Sequence, residues 1–102
     1  MKNKKLTMIQ EAILAQIPRG LESPVRSQDI ADRVGLSQRE VMAVISALII
    51  DHGIAIGGGR TEGRQGYFII MNEEERQQAT IPLKSSIINM QQRVDRLEKI
   101  KL

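Results

Sequence analysis

The chain has 102 residues, 41% of them hydrophobic and only 2% aromatic, with 15 Lys and Arg against 12 Asp and Glu for a net charge of +3. That length suits one domain with a small aliphatic core, of the size that often gains stability from self-association. The absence of cysteine excludes disulfides and thiolate metal sites, and no apolar run approaches the ~20 residues of a membrane span.

The first residues, MKNKK, form a basic arm, with Lys2, Lys4 and Lys5 suited to a minor groove or simply to solvent. No small-residue cleavage site follows, so the expected location is cytoplasmic, without a signal peptide. Thr7 and Gln10 have the spacing of a capping box, and Ile9, Ala12, Ile13 and Ile17 follow at helical spacing until Pro18 stops the helix. The connector RGLESPV leaves room for a very short strand at Val25. Ser27 is expected to cap a second helix that Gly35 ends, by entering the left-handed region at little cost. Ser37 caps a third helix, with Glu40 completing the box, and this helix runs over 37–52 to Gly53. Its stretch VISALII is β-branched and fits a strand too, but the cap, the length and the closing glycine favour helix.

Next come two β-like runs, at Ile54–Ile56 and Tyr67–Ile70, around a loop 57–66 with five glycines, Arg60 and Arg64. The pattern reads as a hairpin over 54–70 with a long flexible tip. Asn72 caps another helix, with Glu73, Glu74 and Glu75 well placed at its N-terminus. Pro82 is expected to break or kink that helix, and a last helix carries on to the C-terminus.

The most specific stretch is SQDIADRVGLSQREVMAVIS, residues 27–46. Two short helices joined by a tight turn need a small residue where their backbones meet, here Ala31, and a glycine in the turn, here Gly35. Ile30, Val34, Leu36, Val41 and Val44 supply the inward apolar positions. This stretch resembles the helix-turn-helix of bacterial DNA-binding proteins. With the hairpin it resembles the winged helix-turn-helix family over residues 6–71 and, more loosely, small winged-helix proteins of phages and prophages. The expected fold is mainly α with a small β-hairpin (α+β): an arm over 1–5, a winged domain over 6–71 and a helical extension over 72–102.

The resemblance implies a non-enzymatic transcriptional regulator bound to double-stranded DNA, with the third helix in the major groove. The wing would lie on the backbone or in a minor groove. Gln38, Arg39, Met42, Ala43 and Ser46 then face the bases. Glutamine suits adenine, arginine suits guanine or a phosphate, and Met42 and Ala43 suit thymine methyls, although Met42 equally suits packing against the wing or the first helix. Ser27, Gln28, Ser37, Arg60 and Arg64 are the expected backbone contacts. The glycines would let the wing approach the duplex closely; a solubilising hairpin tip is the plainer reading. No phosphate-loop or dinucleotide motif is present. No cofactor, metal site or paired nucleophile and base emerges, and His52 beside Asp51 suits a helix C-terminus.

Leu83, Ile87, Met90, Val94 and Leu97 recur with gaps of 4, 3, 4 and 3, a heptad seam a little over two heptads long. It suits a homodimer through the C-terminal helix, or docking of that helix on its own domain. Glu40 and Glu62 weaken the positive field and keep a rival reading open, a protein–protein module in a phage replication or host-takeover assembly.

Overall fold

The computed structural model describes residues 5–61 and 64–102, with the side chains of 59–61 and 64 outside the described set. The arm residues Lys2 and Lys4, and Glu62 in the wing, therefore lie outside the described residues. The chain runs α1 (Met8–Leu14), α2 (Ser27–Val34), α3 (Gln38–Ile50), β1 (Ile56–Thr61), β2 (Arg64–Ile69) and α4 (Glu73–Lys99). It is mainly helical with an antiparallel hairpin, the expected class.

Local hydrogen bonding sets most helix ends. The Thr7 hydroxyl accepts from Gln10 N at 3.1 Å, and the Gln10 side chain accepts from Thr7 N at 2.9 Å. Ser37 and Glu40 make the same reciprocal pair, and Asn72 Oδ1 accepts from Glu75 N at 2.8 Å. Gly35 closes α2 in the left-handed region, with φ 74°. The cap of α2 differs from expectation. Arg26 stands at the N-cap without a side-chain bond, and Ser27 is the first helical residue. Its hydroxyl instead donates to Gln38 Oε1 at 3.2 Å, a partner on α3 that outcompetes a local cap. α1 ends at Leu14, ahead of Pro18. α3 ends at Ile50, so His52 lies beyond its C-cap, Asp51.

Two further expectations are corrected. The glycine-rich stretch is paired strand: Gly57 pairs with Phe68, Gly58 with Tyr67, Gly59 with Gly66 and Arg60 with Gln65. The ladder carries the strands well past the apolar residues that signalled them. Pro82 does not divide the C-terminal region, because α4 is one helix of 27 residues with Pro82 inside it. Proline's fixed φ is itself helical, so the cost falls on one missing hydrogen bond and on crowding against the Gln78 carbonyl.

β2 is the centre of the β layer. Its far edge pairs with the connector: Ile69 N donates to Pro18 O, Gly20 N to Ile69 O, and Val25 and Tyr67 exchange bonds of 3.0 and 2.7 Å. Alternation along the strand then covers both faces. Tyr67 and Ile69 pack on the core of α1–α3, built from Ile13, Ile17, Ile30, Ala31, Val41, Ile45, Leu48 and Ile56. Phe68 and Ile70 face the other way, where Phe68 is buried with Leu21 and Ala79 of α4. α4 is tied down at its start by Glu75, whose carboxylate accepts from Leu21 N at 3.0 Å and Met71 N at 2.8 Å.

Candidate nucleic-acid interface

The apolar residues of α3 face the core at Val41, Ile45 and Leu48. This turns Gln38, Arg39, Met42, Ala43 and Ser46 outward, and all five are exposed. Ile49 belongs with them, since it is exposed rather than in the core. In front of α3 lies an open groove of about 760 Å³. Its walls are α3, the hairpin, the start of α2 and the first turns of α4. Gln38, Met42, Ser46 and Ile49 line it from α3, Gln65 and Tyr67 from the hairpin, and Leu83 from α4.

The structure divides the expected base-facing residues. Gln38, Met42 and Ser46 look into the groove, while Arg39 and Ala43 are not among its lining residues. Arg39 stands free on the open side of the helix, with no hydrogen-bond or ion-pair partner among the described residues.

Three residues expected to contact DNA form one polar cluster. Ser27 Oγ donates to Gln38 Oε1 at 3.2 Å, Gln38 Nε2 donates to Gln28 Oε1, and Gln28 Nε2 donates to Asp32 Oδ1 at 2.7 Å. The chain holds the Gln38 amide against α2, so reading a base with that amide means exchanging these bonds. Ser37 is committed to the α3 cap. Arg60 and Arg64 lie in the last pairs of the ladder before the turn, opposite Gln65 and Thr61; their side chains are outside the described set.

Arg26 is the residue the sequence reading missed. It is exposed and lines the groove beside Ser27 and Gln28. The available signal was a cation immediately before a helix start, where the backbone N–H groups already favour anions.

Two of the hairpin glycines, Gly57 and Gly66, answer to packing inside the chain. A Cβ on Gly57 would lie 2.9 Å from both Ala79 Cβ and Phe68 Cζ. At Gly66, with φ 134°, it would fall on the Val25 carbonyl, 2.6 Å from its carbon. Gly58 has open space, with Tyr67 Cε1 at 4.0 Å.

Among the described residues no cluster of His, Asp or Glu is arranged to hold a metal ion, and no helix is long and apolar enough to cross a membrane. Comparison of the chain with protein-family models, with curated proteins and with solved structures found no match.

Proposed function

We propose that this protein is a winged-helix binding module that docks α3 on duplex DNA and acts in the cytoplasm as a transcriptional regulator, not as an enzyme. The observation that carries the reading is the outward face of α3. It combines a capped N-terminus, an Arg39 without a partner among the described residues, and an exposed Gln38, Met42, Ala43 and Ser46 beside the hairpin. Side chains at the N-terminal end of a recognition helix are those that reach base edges. Arg26, next to β2, and Arg60 and Arg64 on the hairpin supply phosphate contacts, and neutralised phosphates make binding depend steeply on salt.

A second reading has its own support. Met42, Ile49 and Leu83 bring exposed apolar surface to the groove, which suits a protein partner better than a phosphate backbone. Titrations of a random duplex over a range of salt separate the two. Under the DNA reading the log–log slope is steep, and Arg26→Ala, Arg60→Ala and Arg64→Ala each reduce it by about one unit. A flat slope, or three variants indistinguishable from wild type, removes DNA from the mechanism.

A further inference from the structure

We infer that the second half of α4 is one strand of a parallel two-stranded coil, completed by the same helix of a second copy of this chain. α4 meets the body at Ala79, packed on Phe68 and Leu21. From Leu83 the helix runs on with its apolar side uncovered. Leu83, Ile87, Met90, Val94 and Leu97 are 47–64% exposed, so docking on their own domain is not what they do. At 100° per residue these five fall within an arc of about 80°. Ala79 projects at the edge of the same arc, so the docking face continues beyond the body as the seam. So narrow a stripe is that of a coiled-coil seam rather than of a helix laid on a globular core, with Ile81, Ile88 and Ile100 exposed off it.

The residue types choose the partner. With Ile87 and Val94 at the a positions and Leu83, Met90 and Leu97 at d, the seam has the β-branched and leucine-type alternation of parallel two-stranded coils. Lys101 takes the next a position and ends it. The flanking charges fit this orientation. In a parallel pair, Arg93 at g faces the second copy's Glu98 at e, twice by symmetry, and Ser86 faces Gln91. The antiparallel register that sets Leu97 against Ile87 would instead bring Arg93 against Arg93 and Glu98 against Lys84, so it is the a and d residue types that select the parallel pair. Neither Arg93 nor Glu98 has an ion-pair partner within the chain among the described residues, which leaves both for the pairing between copies.

Leu83 also lines the groove in front of α3, so the coil begins beside the proposed DNA-reading face. A parallel coil puts two such faces at one end of the dimer, the arrangement that two half-sites about one helical turn apart require. This last consequence rests on the proposed function; the coil itself does not.

Sedimentation of the full chain without DNA, over a concentration series, tests the coil. The expected result is a monomer–dimer equilibrium that Val94→Asp shifts to monomer while the melting of the body is unchanged. A wild type that is monomeric throughout, or a Val94→Asp dimer as tight as wild type, overturns the inference. Arg93→Glu should weaken the dimer by about tenfold, and adding Glu98→Arg should restore it. Failure of that rescue overturns the charge pairing. The chain has no native cysteine, so orientation can be read from one introduced thiol. Leu97→Cys should oxidise to a disulfide-linked dimer. If it joins only to Ile87→Cys when the two variants are mixed, the coil is antiparallel and the inference fails. A dimer that binds no duplex removes the proposed function and leaves the coil standing; a monomer that binds duplex does the reverse.

Discussion

Replacing Gly66 by alanine should detach the hairpin from the connector. Two costs combine at this position. Its φ of 134° is one that L side chains rarely adopt, and holding a non-glycine residue in such a region costs on the order of 1–3 kcal/mol. The added Cβ would lie 2.6 Å from the carbonyl carbon of Val25 and 3.1 Å from Arg26 N. These are backbone atoms without a flexible end to swing aside. Relief requires moving the connector, which breaks the exchange of hydrogen bonds between Val25 and Tyr67, at 3.0 and 2.7 Å. Each is worth roughly 0.5–1.5 kcal/mol net. A total of about 3 kcal/mol is a large part of the 5–15 kcal/mol typical of a domain. At about 4–8 °C per kcal/mol for a domain near this size, the melting temperature should fall by roughly 12–24 °C. Circular dichroism melts measure it, with Gly58→Ala as the paired control. Gly58 lies on the same hairpin, but its added Cβ meets only Tyr67 Cε1 at 4.0 Å, and removing a glycine there should change stability by less than about 1 kcal/mol. Equal losses in the two variants, or an unchanged melt for Gly66→Ala, would refute the packing argument.

Two further outcomes follow from named contacts. Glu75→Ala removes the acceptor of both Leu21 N and Met71 N; it should lower the unfolding free energy by about 2 kcal/mol in urea titrations, whereas Glu74→Ala, at an exposed neighbour, should be nearly silent, and equal effects would deny the clamp. Arg39→Lys keeps the charge but loses the planar fork, so it should preserve non-specific duplex binding and cost roughly 1–3 kcal/mol on a selected site; equal weakening on both duplexes would make Arg39 a phosphate anchor, and no change on either would favour a protein partner.

What the sequence determined by itself is what short-range hydrogen bonding and periodicity decide. Thr7 with Gln10, Ser37 with Glu40, and Asn72 each meet their partner within one helical turn. Gly35 takes positive φ because the tight turn between α2 and α3 demands it. The outward face of α3 is legible because Val41, Ile45 and Leu48 leave it no other orientation. The seam of α4 is legible because its 4-3-4-3 spacing is a property of the helix alone. Tertiary structure decided the rest. Gly57, Gly58 and Gly59 are strand only because β2 offers them a ladder; a glycine has no side chain with which to announce it. Ser27 forgoes a cap, and Gln38 is held against Gln28, because the turn at Gly35 folds two successive helices so that their N-terminal ends meet, bringing together residues beyond the reach of a local capping rule. Pro82 stays within a continuous helix although the local rule disfavours it, in a segment anchored by the Glu75 carboxylate and by Ala79. Those anchors involve Leu21 and Phe68, remote in sequence, and a rule confined to four neighbouring residues has no access to them.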